Sequence, residues 1–598
     1  MTLPKRSQLP VEQTWSLETV FASEQDWRLA LEAVRASGTQ LAVFQGRLAE
    51  SGALLLEALQ TQDRLFLAAQ IMTMYPSLLS ATEGTNTHYS SLSAEAGAAS
   101  SALAGAAAFM RPELLTLTPE QLQAMMRDEP QLGVYQHSLH ILAQQKDHVR
   151  SPEIERLLAQ VQEPLGSASA ISEAASDADM KFAPIAGGVV VSHTSVGELL
   201  SGTDSSVRKA AWESYADGHL AFQNTLAATL QGSIKAYVFN AQARGYGSSL
   251  EMSLSNNHIP VQVFENLLET FKANLPTWHR YWALRKKAMG GELHTYDIPI
   301  YDSPAPLIAS PKMSFAEASR VILEGMKPLG ANYHAIMQKG LFEQRWVDWG
   351  QNEGKGAGAF SSGAQGTHPF IFQSWSDDLY SMSTLAHELG HSMHSYLTRT
   401  TQPTVYAEYG LFVAEVASNF NQAMVRADLL KKADSKETKL AILEEAFANF
   451  HRYLFVMPTL ALFERELYSH IESGGAINAP YLSERLVALL SQGYGGHVTI
   501  DAERLGSGWM NFGHLYAPFY VYQYATGIAA ANALAKDVLE QGQVAAENYL
   551  RFLSAGSSDY PLEVLKLAGI DMSRPEPVQR GFEVLKSMVD ELEQLLNG

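Results

Sequence analysis

The stretch Leu385-Ala386-His387-Glu388-Leu389-Gly390-His391 is the part of the chain around which the rest is organised. Two histidines four apart on a helix share one face, one turn from each other. That spacing brings both imidazoles to one metal ion, and Glu388 stands beside the same ion. Two neutral imidazole ligands, with a carboxylate to take the proton from a metal-activated water, make the HExxH pattern of zinc peptidases. The bland alternative is a helix with a half-buried His-Glu-His surface. The flanks favour a site. Thr384, Leu385, Ala386, Leu389 and Met393 give the helix an apolar body, and ionisable groups on such a body are costly without partners. Upstream, Pro369-Phe370-Ile371-Phe372 reads as a strand, and Gln373 to Asp378 as a turn leading into the helix.

A catalytic zinc takes three protein ligands and leaves one position open. A third histidine six residues after His391 is ruled out, because that position is Leu397; a glutamate nineteen residues after it is ruled out, because that position is Gly410. The next acids are Glu408 and Glu415. Glu408 lies in the polar, loop-like run Tyr406-Ala407-Glu408-Tyr409-Gly410. Glu415 lies in Leu411-Phe412-Val413-Ala414-Glu415-Val416-Ala417-Ser418, a helical run of apolar and small residues. A lone carboxylate there needs a reason, either a metal or a salt bridge to a base such as Arg426.

The motif and the segment around Glu415 together resemble the oligoendopeptidase F family, within the thimet-oligopeptidase group of zinc metallopeptidases. The resemblance covers nearly the whole chain. It includes Thr14-Trp15-Ser16-Leu17, Ala243-Arg244-Gly245-Tyr246, Tyr296-Asp297, Gly356-Ala357-Gly358-Ala359-Phe360 and His514 to Gly527. It implies one Zn2+ per chain held by His387, His391 and Glu415, with Glu388 as general base. It also implies a mainly α, two-lobed helical fold that encloses a deep substrate channel, with a small β-sheet beside the HExxH helix. The implied substrates are oligopeptides cut at internal bonds. That family has an acid seven residues after the glutamate ligand, where this chain has Gln422; an amide still hydrogen-bonds a ligand histidine but lends it less negative charge.

The rest of the chain agrees with a large enzyme. The 598 residues hold no long Pro/Gly/Ser linker and suffice for a large core with more than one lobe. With no cysteine, there are no disulfides, no thiol nucleophile and no cysteine-zinc site, which suits a cytoplasmic protein. A net charge of -20 argues against nucleic acid and anionic membranes as partners. The opening Met1 to Pro10 has basic residues without an apolar run after them, and so no signal peptide. The alanine-, glycine- and serine-rich stretch from Ala94 to Met110 is too weakly apolar to span a bilayer and reads as a helix–helix contact through small residues. Residues 24 to 181 follow the helical period, with starts at Thr118-Pro119-Glu120 and Ser151-Pro152-Glu153. Gly187 to Thr194 is β-like and reads as a hairpin. A boundary there divides a helical amino-terminal region, 1–190, from a zinc metallopeptidase catalytic domain, 191–598.

Two further segments bear on substrate. The glycine-rich loop Gly354 to Gly363 fails as a phosphate cradle, since its glycine spacing is wrong and no Ser or Thr follows Lys355. By resemblance, Gly358 belongs to a loop over the bound peptide, and Phe370 to a strand whose edge pairs with the peptide backbone. In the run His514 to Gly527, the resemblance carries His514 and Tyr522 as catalytic groups that bind the substrate carbonyl and oxyanion, with Tyr516, Tyr520 and Tyr524 as substrate-binding residues. Two alternatives stand beside the zinc oligoendopeptidase: a metallocarboxypeptidase of related helical fold, and a non-catalytic peptide-binding protein on the same scaffold.

Overall fold

The structure, a computed structural model, describes residues 3–597, so Met1, Thr2 and Gly598 lie outside it. The fold is mainly α with one small sheet. Helix starts follow local chemistry. Thr118 caps Pro119–Asp128 and Ser314 caps Phe315–Gly325, each in a reciprocal pair with the residue three on, Gln121 and Glu317. Such pairs satisfy N–H groups that the first turn leaves without partners.

The amino-terminal region is built on helices α1 (Glu24–Ala42), α2 (Gly52–Thr82) and α3 (Thr87–Ala107). Trp27, Leu31 and Val34 of α1 meet Leu55, Met72 and Leu78 of α2 and Ala96 and Ala99 of α3 in one core. Small residues do set the α1–α3 contact: a Cβ on Gly38 would lie 3.1 Å from Ala106. Helix α2 is long and apolar enough by length and composition to cross a membrane, yet it contributes thirteen residues to the buried interior. The stretch expected as a hairpin is not one. Ala186–Gly188 forms a 3-10 turn closed by the single bridge Ile185↔Val189. Positive φ at Gly187 and Gly188, 79° and 77°, turns the chain back too sharply for strands to extend.

A second, larger core runs from Ala175 to Leu592. The sheet lies between the two. Its strands are β1 (Val347–Asp348), β2 (Phe360–Ser362) and β3 (Phe370–Phe372), in the order β1-β3-β2. Strand alternation divides β3 between the cores: Phe370 and Phe372 pack with Trp15 in the amino-terminal one, and Ile371 faces the larger one. The segment before α1 is sewn onto this sheet. The Trp15 N–H donates to Asp348 at 3.3 Å, and the Trp349 N–H to the Gln13 carbonyl at 3.0 Å.

The central place of β3 corrects the expectation for Phe370. Strand β3 is parallel to β1 and antiparallel to β2, so neither of its edges is free. Phe370 itself is fully buried. The available edge belongs to β2. Ile371 and Gln373 donate to the carbonyls of Trp346 and Asp348, so Phe370 and Phe372 bond toward their β2 partners Ser362 and Phe360. By the same alternation, Ser361 turns its N–H and C=O to the outer side of the sheet.

Candidate metal centre and active site

The motif helix, Leu379–Thr401, starts at Asp378, whose carboxylate accepts the Ser381 N–H at 2.7 Å. The ligand helix, Leu411–Lys432, packs across it. The crossing is close because Gly390 has no side chain: a Cβ there would lie 2.5 Å from the Ser418 Cα. A third helix, Tyr522–Gln541, presses on the ligand helix from the other side, where a Cβ on Gly527 would lie 2.7 Å from the Glu415 Cβ. Here it is called the tyrosine helix. The two glycines bring three helix backbones within one side chain of each other, and Glu415 lies between them.

The result is a three-ligand cluster. Ligand atoms of His387, His391 and Glu415 lie within 4.8 Å of one another. Each imidazole turns Nε2 to Glu415, at 3.4 Å from His387 and 4.0 Å from His391. Their outer faces meet acceptors: Gln422 Oε1 lies 3.1 Å from His387 Nδ1, and the Ala414 backbone faces His391. Burial, then the neighbouring His387, pushes His391 down to about 4, so it is the neutral form that a metal needs. Glu408, the competing acid, is half exposed and pairs with Arg399 at 3.0 Å. Arg426 pairs with Glu445 rather than Glu415. His394, three residues past His391, is buried against Tyr409 with ring centroids 3.6 Å apart and takes no part.

Glu388 is buried, and its Oε2 has no partner. Burial raises its carboxyl to about 7, with Glu415 adding to the rise and His387 opposing it. An orphaned carboxylate oxygen beside a two-histidine, one-glutamate cluster fits a water held between it and a metal. Both nitrogen–oxygen donor types suit zinc.

The opposite wall comes from the run Gly513 to Tyr524. His514, Tyr520 and Tyr524 gather: ring centroids of His514 and Tyr520 lie 5.0 Å apart, and the Tyr520 and Tyr524 hydroxyls 3.2 Å apart. Tyr524, one turn before Gly527, is within electrostatic reach of Glu415. Two expected members are elsewhere. Tyr522 is 1 % exposed and packs on Phe264 and Phe412, its hydroxyl enclosed without a partner. Two residues of helix turn the chain by about 200°, which sends Tyr522 to the core when Tyr524 faces Glu415. Tyr516 points away as well, bonding to Thr229 at 2.7 Å. Gly358 stands clear of all side chains at φ 83° in the loop that leads into β2. Earlier in that loop, Lys355 is pinned inward, its Nζ reaching the carbonyls of Asp348, Gly350 and Gln373 at 2.7–3.0 Å. The Ser361 hydroxyl lies 2.8 Å from that of Ser392, the residue after His391, which sets the outer edge of β2 beside the metal cluster.

Sequence reasoning missed Tyr453. It stacks on Tyr524 with centroids 5.4 Å apart, and Glu415 and Glu388 both act on its hydroxyl. It sits in a π-helical turn, His451–Val456, between Lys436–Phe450 and Met457–Glu472. Such turns occur often at functional sites, and the helical period carries no mark of them.

Comparison with known proteins agrees across the chain. The family model described as Peptidase family M3 matches residues 199–584, and that described as Oligopeptidase F matches 113–182. Oligopeptidase PepF of Bacillus subtilis is 37% identical over 99% of this chain and 89% of its own length. Group B oligopeptidase PepB of Streptococcus agalactiae is 33% identical over 99% of this chain and 98% of its own length. Among solved structures, a putative peptidase from Chlamydophila abortus superposes with a TM-score of 0.89 at 30% identity, covering 99% of this chain and 100% of that one. Oligoendopeptidase-F from Enterococcus faecium does so with a TM-score of 0.74 at 31% identity, covering 96% and 99%.

Proposed function

Since the chain belongs to peptidase family M3, in its oligoendopeptidase F branch, we propose that it is a zinc-dependent oligoendopeptidase acting on internal bonds of short unstructured peptides. The observation that carries the reading is the convergence of His387, His391 and Glu415 beside an unpartnered Glu388 oxygen. Zinc in this cluster supplies Lewis-acid polarisation of the scissile carbonyl and lowers the pKa of a water toward neutrality.

The chain's own groups do the rest. The outer edge of β2 offers Ser361 backbone groups to an extended peptide, a mode that reads backbone direction and asks little of side chains. Gly358, in the loop that leads into β2, has open space around it, and in this reading that loop covers the bound peptide. Glu388 accepts the proton of the attacking water and hands it to the leaving amine, and its burial favours holding that proton between the two transfers. Burial raises the Tyr453 and Tyr524 hydroxyls above the usual phenol value, so both stay protonated as donors for the developing oxyanion. One well-placed donor of this kind contributes about 3 kcal/mol. His514 stands behind Tyr520 and Tyr524 as a further donor.

Residues 1–190 are assigned as the helical amino-terminal region and 191–598 as the catalytic domain, and the charge of -20 without cysteine suits a cytoplasmic enzyme with oligopeptides as its partners. The metallocarboxypeptidase reading draws on Arg452. This residue is exposed, makes no ion pair among the described residues, and lies near Tyr453 and within electrostatic reach of His514 and Asp302. Such a cation would suit a substrate's free carboxylate. One experiment separates the two. A quenched peptide of about ten residues, blocked at both ends, is incubated with and without a zinc chelator and its products are weighed. Chelator-sensitive internal cuts are expected. Cleavage only after the carboxy terminus is unblocked would replace the endopeptidase with the exopeptidase.

A further inference from the structure

We propose that the buried Glu445–Arg426 ion pair fixes the tautomer of His387 by locking the orientation of the Gln422 amide, through Ser383 on one side and Asn449 on the other. This rests on the reading of His387 as a zinc ligand, and it assigns positioning roles to four residues that touch neither metal nor substrate.

His387 turns Nε2 to the cluster, so its proton has to sit on Nδ1, 3.1 Å from Gln422 Oε1. A carboxylate beside Nδ1 accepts whichever way it turns. An amide does not. Turned over, Gln422 would present its NH2 to the imidazole, and the imidazole would answer by moving its proton to Nε2, where a metal binds. A glutamine in this place therefore works only if something holds it.

Two hydrogen-bond chains do so, and both begin at a group that runs one way. Glu445 is 3 % exposed and Arg426 7 % exposed, and they are joined by Nε–Oε2 and Nη2–Oε1 bonds of 2.6 and 2.7 Å. An ionised carboxylate only accepts. The Ser383 hydroxyl therefore gives its one proton to Glu445, which leaves its lone pairs to accept from Gln422 Nε2 at 2.8 Å. A guanidinium only donates. Arg426 Nη1 takes the Asn449 oxygen at 3.2 Å, which turns the Asn449 NH2 to Gln422 Oε1 at 3.4 Å. Each chain demands the same amide orientation, with nitrogen to Ser383 and oxygen to His387. A buried ion pair is weak evidence for stability and is best attested where it specifies an arrangement.

The test is zinc affinity, measured on the full chain by competition with a chelating dye, with thermal unfolding of the metal-free forms as the check on folding. Ser383→Ala/Asn449→Ala removes both locks and is expected to weaken zinc binding about tenfold or more. Adding Gln422→Glu should restore it, because a carboxylate has no donor to misplace. Unchanged affinity in the double variant, or no recovery in the triple, overturns the proposal. If the double variant does not fold, Ser383→Ala alone decides. It removes the shorter of the two holds on the amide, 2.8 Å against 3.4 Å, so it should weaken zinc binding in the natural chain, by less than the double variant, and leave it unaffected in a Gln422→Glu background; equal effects in both backgrounds overturn the lock. His391→Ala separates the layers. Zinc binding indifferent to His391 overturns the metal reading itself, whereas a His391-dependent site indifferent to Ser383 and Asn449 overturns the lock alone.

Discussion

The two walls of the candidate site are built in opposite ways. The metal wall consists of long helix interiors: the motif and ligand helices meet at Gly390, the tyrosine helix presses on the ligand helix at Gly527, and Gln422 and Ser418 back His387 and Glu415. The facing wall is a 3-10 turn, Gly513–Tyr516, then a loop in which Phe519 holds φ at 52°, then the first turn of the tyrosine helix. One carboxyl steadies that loop: Glu464, fully buried, accepts the Phe519 N–H at 3.0 Å. A wall fixed by close backbone contact suits ligands that have to meet within tenths of an ångström. A wall of loop and stacked rings suits donors that adjust to a substrate.

The largest effects fall on the metal wall. Glu415→Ala should abolish zinc binding, read by metal analysis; if the metal stays, Glu408 becomes the candidate ligand. Glu388→Gln should retain zinc and lose about 10²–10⁴-fold in kcat, and full activity in that variant would sink the mechanism.

On the facing wall, substitution separates neighbours. Tyr524→Phe should lower kcat by about 10²-fold or more. Tyr522→Phe should leave kcat unchanged, because its hydroxyl is enclosed without a partner. Peptide-cleavage kinetics on the pair would reverse the assignment if the effects were exchanged. Gly390→Ala probes the close contact. It should destabilise the fold by about 1–3 kcal/mol, measured by denaturant unfolding, because the added methyl meets the Ser418 backbone.

The last effect is one of pH, spread over several units. Burial raises the Glu464 carboxyl to about 8, above its ordinary 4.5. Between those values the folded chain holds a proton that the unfolded chain releases, so stability falls as pH rises, by up to about 1.4 kcal/mol per pH unit. Glu464→Gln should remove this slope and keep the bond to Phe519. A variant with the same slope would assign the titration to another group.

The metal wall was legible because one regular helix carries its motif, and i, i+4 spacing needs no knowledge of the fold. Glu415 was legible as an acid out of place in an apolar run. The facing wall was not, for a definite reason: Phe519 breaks the phase, so spacing counted from His514 does not carry into the tyrosine helix. The substrate edge was misplaced because strand order depends on β1, more than twenty residues upstream, which takes the other side of β3. Tyr453 and the Ser383–Glu445 contact were invisible, since a π turn leaves no periodic trace and Ser383 and Glu445 stand 62 residues apart.

The sewing of the amino-terminal segment onto the sheet has a consequence for synthesis. Trp15 waits for Asp348, 333 residues later. At ordinary rates of elongation that is roughly 20–70 s during which the surface around Trp15 has no sheet to cover it. Trp15 thus leaves the ribosome long before its partners do, and a substitution there would act on the sheet beside the candidate metal site.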